Sequence, residues 1–563
     1  ICRWLLISFV NNDIALRFVY LHWFILKRIW GSYRSHMYFG LRTQHPQSPL
    51  FGMIWYPQKG MQLTIHDVRH WCEKVVYNYR LYIYTHADGR TFGNQIIEDN
   101  LLNIRTSWLN NGSSWTSQIT TTSGYSEMHE KMGMFALSNM LGTIGYNFGH
   151  NRVRGEPGSY ETLYGPNQLL SACPCRSTFP RGFLWDEGFH SLLIRKFDAE
   201  LALKITGSWL NTMNIDGWIP REMILGAEAE LRVPPEFIVQ TYKTANPPIS
   251  LQFVGLDTVG VLRRMYPRLS AWYNWLNNTQ AGYFSGTYRW RGRNATTERE
   301  LNPKTFASGF DDYPRATHPS EHEYHLDLRC WMAFSASVLS KLGEIVGDTT
   351  GKAIYERDSK YLSDFDNLNK LHWSRRKKRF CLLFFGVNEV FFALICIVRN
   401  GIGQLTLQLV EDAFGYISLF PMILRLLPYD SVQLELILSS MHSEEELWTP
   451  FGIRSLSKSS PYYRQWNTKD DPPYWRGDIW MNMNYMVLSA LKYYSQFSGP
   501  NKELALRIYN DLRNNVVKNV FREFNRTGTF WEHYDDKTGR GGGAYPFTGW
   551  TSLVLAIMAE QYD

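Results

Sequence analysis

The spacing of hydrophobic and polar positions changes near residue 125. Before it, β-branched and aromatic residues come in short runs closed by turn residues. Leu81-Tyr82-Ile83-Tyr84-Thr85 ends at Asp88-Gly89, and Gln118-Ile119-Thr120-Thr121-Thr122 is a second such run. Residues 31–124 therefore read as a small β domain. From Ser126 onward, Met128, Met132, Phe135, Ala136 and Met140 fall on one broad helical face. Further helical patterns cover 187–206, 323–346, 431–442, 479–497 and 502–520, separated by loops rich in glycine, proline and aromatic residues. Paired helices with long loops predict an all-α toroid or bundle over 125–563.

Two stretches stand apart from this pattern. Residues 1–30 read as an unassigned apolar leader, interrupted by Asn11, Asn12, Asp13, Arg17, Lys27 and Arg28. Neither half supplies the roughly 20 apolar residues of a spanning helix, and the order is not that of a signal peptide. In 375–404, Arg375-Arg376-Lys377-Lys378-Arg379 precedes a nearly apolar run from Phe380 to Val398. The basic flank suits a membrane segment. Asn388 and Glu389 sit at its centre, however, where a charge costs about 2.5–3.5 kcal/mol on insertion scales. The segment is read as a foreign insertion, with retained non-coding sequence favoured over an added helix or strand.

Composition narrows the function classes. The 563 residues suffice for a small domain plus a large one. Aromatics reach 15%, a load that suits sugar-stacking clefts as well as large cores. The net charge is +7, with five of the positive charges in 375–379, so no basic surface for nucleic acid is expected. The seven cysteines form neither a disulfide framework nor a zinc-type Cys/His spacing. Sequons begin at Asn111, Asn277, Asn294 and Asn525 and are compatible with a lumenal or secreted chain.

The candidate chemistry lies in loops. Ala307 to Arg315 sets Asp311 and Asp312 between Gly309 and Pro314, which predicts a tight loop. Alone, such acids more often make a turn or a cap. Their company changes the odds. Phe179 to His190 combines Arg181, Trp185, Asp186 and Glu187, and its bland reading is acids at a helix N-terminus. Gly217 to Glu222, Tyr288 to Arg293 (with Arg291) and Pro472 to Trp480 (with Trp475 and Arg476) repeat the mixture of aromatics, arginine and acid. A pyranose needs this mixture: an aromatic face for its C–H side and charged partners for its hydroxyls. Near the end, Trp531-Glu532-His533-Tyr534 precedes Gly541 to Gly543, a run without the Lys-Ser/Thr of a phosphate loop. Glycosidic cleavage needs two carboxyl groups, and Asp311 and Glu532 are the candidate pair. No metal or organic cofactor is expected.

Phe179 to His190, Ser308 to Ala316, His325 to Trp331 and Pro472 to Gly477 together resemble the processing α-glucosidases of glycoside hydrolase family 63. The similarity runs over about 125–372 and 405–563, with Trp30 to Trp55 in front. The resemblance implies an N-terminal β-sandwich, truncated here, followed by an (α/α)6 toroid. It implies inverting removal of the terminal α-1,2-linked glucose from the triglucosylated high-mannose N-glycan of nascent glycoproteins. Asp311 matches the family's general acid and Glu532 its general base, with about 6.5–9.5 Å between the carboxyl groups for the attacking water. Arg181, Trp185, Asp186, Trp475 and Arg476 match glucose-pocket positions, with Trp185 and Trp475 stacking the sugar. Glu187, Glu222, Arg291 and Asp312 complete the candidate binding set. The implied location is the endoplasmic reticulum membrane with a lumenal catalytic domain, although the family's anchor is not recognisable in 1–30. A trehalase-like inverting glycosidase and a non-catalytic glycan-binding relative are the rival readings.

Overall fold

A computed structural model of the chain describes residues 125–155, 159–242, 244–248, 259–293, 300–317, 319–386 and 406–562, together with the antiparallel pair Met37–Tyr38 and Ile54–Trp55. The leader, the strands expected at 81–85 and 118–122 and most of the β domain lie outside the described residues.

The first helix, Glu127–Gly142, buries Met132, Gly133, Ala136, Leu137 and Met140 on one face. The pattern at 187–206 reads as one helix, but two form: Leu184–Phe197 and Ala199–Asn211. Asp198 between them is extended, and its carboxylate caps the second helix by accepting from the Leu201 amide at 2.9 Å. A side-chain cap of this kind outcompetes continued helix. Leu326–Val346, Val432–Met441 and Met481–Tyr494 fall within expected ranges. Lys502–Thr527 runs past the expected end and stops at Gly528, which is left-handed at φ 72°. The pattern did not expose the antiparallel hairpin Ile144–Arg154 and Thr162–Ala172. Nor did it expose Val259–Thr279, where Pro267 reads as a stop yet is carried by buried Met265, Tyr266, Leu269 and Trp272.

The helices are of two kinds. Leu184–Phe197, Tyr416–Ile423, Met481–Tyr494 and Val554–Met558 are buried nearly all round. Ala199–Asn211, Thr349–Leu362, Val432–Met441 and Lys502–Thr527 bury one face. All-round burial marks an inner position. The inner elements touch in a closed circuit. Trp185 meets Trp331 of Leu326–Val346 at 6.3 Å, and Trp331 meets Phe420 of Tyr416–Ile423 at 5.5 Å. Tyr416–Ile423 packs on Met481–Tyr494, which packs on the 3-10 turn Trp550–Leu553, and that turn returns to Leu184–Phe197. One-faced helices back this circuit, as Thr349–Leu362 backs Leu326–Val346 and Lys502–Thr527 backs Met481–Tyr494.

The first part of the suspected insertion belongs to the domain. Residues 375–378 form the turn between paired strands Trp373–Ser374 and Arg379–Phe380. Leu383–Gly386 pairs with Thr406–Leu409 on one side and Glu323–Tyr324 on the other. Phe380, Cys381, Leu382 and Leu383 are buried. Arg376 pairs with Glu411, and Arg379 with Glu446 at 3.0 Å. A basic turn leading into a strand that is paired on both sides imitates the flank of a membrane segment, because central strands read as nearly continuous apolar runs. Residues 387–405 lie outside the described residues. No described helix is long and apolar enough to cross a membrane.

One buried ion pair fixes the helical body beneath the acidic loop. Arg315 donates through both terminal nitrogens to Asp327, at 3.0 and 2.7 Å, and both side chains are fully buried. The Trp290 indole N–H adds a third bond to Asp327 at 2.9 Å. Asp327→Ala would leave the Arg315 charge buried and unpaired, so it is expected to cost about 3–5 kcal/mol of folding stability. Urea unfolding followed by tryptophan fluorescence checks this.

Candidate active site

Every residue of the loop from Gly309 to Tyr313 has a packing reason for its place. Gly309 sits at φ +79°, and a Cβ there would come within 2.7 Å of the Trp185 indole. Phe310 is fully buried, its ring 4.8 Å from Trp475, 5.7 Å from Trp185 and 5.8 Å from Phe420. The Tyr313 hydroxyl donates to the Ala413 carbonyl at 2.7 Å. The Thr305 amide donates to the Asp311 carbonyl at 2.7 Å. Pinned on both sides, Asp311 keeps 23% of its side chain exposed.

Arg221 stands beside it, with Nη2 3.7 Å from Asp311 Oδ1. Arg221 is itself oriented by the Phe306 carbonyl at 3.2 Å and by Glu222 at 3.3 Å. Glu222 in turn takes a 2.6 Å bond from buried Arg181. Glu532 arrives from the far end of the chain and is buried. Its Oε1 accepts from the Tyr474 hydroxyl and its Oε2 from the Ala544 amide at 2.8 Å. The Trp550 indole N–H holds its carbonyl at 2.9 Å.

The charges of these groups act on one another. Burial pushes the Asp311 carboxyl up to about 7; Arg221 pulls it back, while Asp312 and Glu532 add to the rise. Burial, followed by the Glu532 charge, lifts Asp186 well above the ordinary carboxylate range. The Tyr474 hydroxyl is raised by burial and then by Glu532, Asp311 and Asp186. The three acids and the phenol therefore share one site, and one acid can stay protonated near neutrality. A pair of carboxyl groups held in different protonation states can give and take a proton in one reaction.

The structure gathers Asp311, Glu532 and Asp186, with Trp185 as a nearly covered wall and the Arg181–Glu222 pair supporting Arg221. Other candidates lie elsewhere. Asp312 is 2% exposed, and its two oxygens accept from the Trp475 and Tyr474 amides at 2.6 and 2.9 Å. Trp475 stacks on Trp480 at 3.8 Å and is 1% exposed, leaving no face for a sugar. Arg476 is fully buried and bonded to the Asp312 carbonyl and the Asn467 side chain, each at 2.7 Å. Glu187 ties its helix to the hairpin through Ser171, the Ala172 amide and the Trp209 indole. Arg291 braces the end of Val259–Thr279 through the Thr279 and Ala281 carbonyls and pairs with exposed Glu321. The same residue types serve cleft and core alike, because a buried charge must find partners wherever it sits. Arg221 and Tyr474 were missed as site residues although each adjoins a chosen one. The available signal was that a tyrosine brings a polar tip to an aromatic wall.

Among the described residues, carboxylate oxygens of Asp478, Asp535 and Asp536 lie within 4.8 Å of one another, close enough to hold a metal. The Arg464 guanidinium already bridges them, at 2.6 Å from Asp535 and 3.2 Å from Asp478, and it also bonds Asp536. Arg454 adds a second cation at 2.8 Å from Asp536.

The helical body has the fold of a glycosyl hydrolase. The crystal structure of the GH63 mannosylglycerate hydrolase from Thermus thermophilus matches 68% of this chain and 95% of its own, with a TM-score of 0.50 and 15% identity. The model of the glycosyl hydrolase family 63 C-terminal domain matches residues 100–560, and that of the family's N-terminal domain matches 28–159. The chain belongs to glycosyl hydrolase family 63. It is 44% identical over 480 residues to the mannosyl-oligosaccharide glucosidase GCS1 of Arabidopsis thaliana, covering 78% of this chain and 56% of that protein. It is 35% identical to the probable mannosyl-oligosaccharide glucosidase of Schizosaccharomyces pombe, covering 77% and 59%. The chain thus spans little more than half the length of these relatives.

Asp311 also links pH to stability. Its folded-state pKa, about 7, lies above its ordinary 3.8. Its stabilising contribution is therefore complete below 3.8 and is lost as pH rises through about 7. Asp311→Asn removes this loss. Relative to the parent, the variant is expected to gain roughly 1–3 kcal/mol above pH 7, one pKa unit being worth about 1.4 kcal/mol, with little of that gain at pH 4. Thermal unfolding at both pH values reads the difference.

Proposed function

We propose that the chain is an inverting exo-α-1,2-glucosidase that removes the distal glucose from a triglucosylated high-mannose N-glycan on nascent glycoproteins. The observation that carries this reading is the grouping of Asp311, partly exposed and pushed up to about 7 by burial, with Glu532, whose charge adds to that rise. The names of its relatives support the substrate class. In this reading Asp311 protonates the leaving glycosidic oxygen as the bond to the anomeric carbon breaks. Glu532 takes a proton from a water that attacks that carbon from the opposite face, so the configuration inverts. Asp186 and Arg221 bind glucose hydroxyls at the cleft wall, and Arg181 and Glu222 keep Arg221 in place.

The closed circuit of buried helices backed by one-faced helices supports an (α/α)6 toroid over 125–563. A β-sandwich over 31–124 is the matching assignment for the N-terminal part. A nascent glycoprotein substrate assigns the catalytic domain to the lumen of the endoplasmic reticulum.

The test is incubation of the full chain with a triglucosylated high-mannose glycan, with NMR following the first sugar released. One glucose appearing as the β-anomer is expected. First appearance of the α-anomer would overturn the inverting pair, and cleavage of trehalose in preference to the glycan would favour a trehalase-like enzyme. Binding without release would favour a glycan-binding relative. Asp311→Asn and Glu532→Gln are each expected to lower kcat about 100-fold or more, as loss of a general acid or base does, with near-ultraviolet circular dichroism unchanged. In the parent, kcat/KM should fall as pH rises past about 7, because the acid must be protonated.

A further inference from the structure

The two adjacent carboxylates of the acidic loop face opposite ways. Asp311 faces Arg221 and stays partly exposed. Asp312 faces the body and accepts the amides of Tyr474 at 2.9 Å and Trp475 at 2.6 Å. Its carbonyl accepts from Arg476 Nε at 2.7 Å. One aspartate thus grips three consecutive residues of a loop 162 to 164 positions further along the chain. The first of the three sends its hydroxyl to Glu532 Oε1. Its ring is held edge-on to Trp480 at 4.6 Å, and Trp480 is stacked on Trp475. The other Glu532 oxygen belongs to the Ala544 amide at 2.8 Å, beside Gly543, where a Cβ would come within 2.5 Å of that oxygen.

These contacts form a continuous path from the residue after Asp311 to a carboxylate oxygen of Glu532. We infer that Asp312 and Tyr474 are positioning residues that set the Glu532 carboxylate relative to Asp311, so that one point of the acidic loop places both groups. The inference rests on the reading of Asp311 as acid and Glu532 as base. A carboxylate can rotate about its last bond, and each oxygen has two lone-pair sites. With one site on each oxygen taken, by the phenol and by the amide, the carboxylate plane is fixed and the remaining sites are presented to water in one orientation. Loss of such orientation is costly in rate even when binding survives, because a displacement of about 1 Å can cost 100-fold.

The hydroxyl can be removed without the ring. Among the described residues, the Glu532 charge acts on Tyr474, Asp311 and Asp186 from other segments, and Arg221 acts on both aspartates. Next in the chain, His533 is turned to Asp478 at 2.8 Å. In the full chain acting on the triglucosylated glycan, Tyr474→Phe is expected to lower kcat about 10- to 100-fold with KM nearly unchanged. The unfolding temperature should stay close to the parent's. Asp312→Asn should lower kcat comparably. Because the two act in series, the double variant should be no slower than the slower single variant.

Glu532→Gln is measured alongside. If Glu532→Gln is inactive while Tyr474→Phe keeps the parent's kcat, the relay is wrong and the base assignment stands. Multiplying losses in the double variant would also overturn it. If Glu532→Gln turns over normally, the base assignment itself fails. Should Asp312→Asn not fold, Tyr474→Phe decides alone, since it leaves the loop clamp intact.

Discussion

Asp312 accepting two backbone amides from a distant loop is the constraint on which the rest of the site depends. A carboxylate that is 2% exposed must have its oxygens satisfied, and here the partners come from Tyr474 and Trp475. The need to pair that charge draws the 474–476 loop against the acidic loop. Phe310 strengthens the same junction by inserting between Trp185, Phe420 and Trp475, which belong to three different parts of the chain. The junction sits on the Arg315–Asp327 pair, so polar and aromatic packing converge on one short segment.

Burial acts alike on the acids of this region, yet its outcome differs with their neighbours. Burial raises Asp327, but the Arg315 charge and its hydrogen bonds outweigh it and hold the group below the ordinary carboxylate range. At Asp311 the nearest cation, Arg221, stands 3.7 Å away and is shared with Glu222, so burial prevails and the proton is retained. Glu187 is also pushed up to about 7, by burial that its bonds from Ser171, Trp209 and Ala172 only partly offset. That group is sealed under the hairpin, whereas Asp311 keeps part of its side chain exposed. A raised carboxyl thus points to proton chemistry only where a substrate can reach it.

The aromatic richness of the chain serves the scaffold before it serves any ligand. Trp331, Trp475 and Trp480 are fully or almost fully buried and join inner elements edge to face or face to face. Such contacts let large side chains fill the space between loops and helices. What remains for the cleft is the less obvious tyrosine at 474, with its ring in the aromatic layer and its hydroxyl on Glu532.

By itself the sequence determined the helical periodicity of the C-terminal body, the loop character of 307–315 and the carboxylates at 311 and 532. These are local properties: a 3.6-residue repeat, a glycine with a proline five residues later, and unusual side-chain combinations. It could not show that Asp312, Trp475 and Arg476 turn into the body while Tyr474 reaches Glu532, because neighbours in an irregular loop have no period that assigns them a side. It set the basic turn at 375–378 and the apolar run behind it apart from the domain, since the pairing of that strand depends on partners at 323–324 and 406–409. Tertiary structure decided these points. Which way a charge faces is settled by where its hydrogen-bond partners lie, and for Asp312 they lie more than 160 residues away.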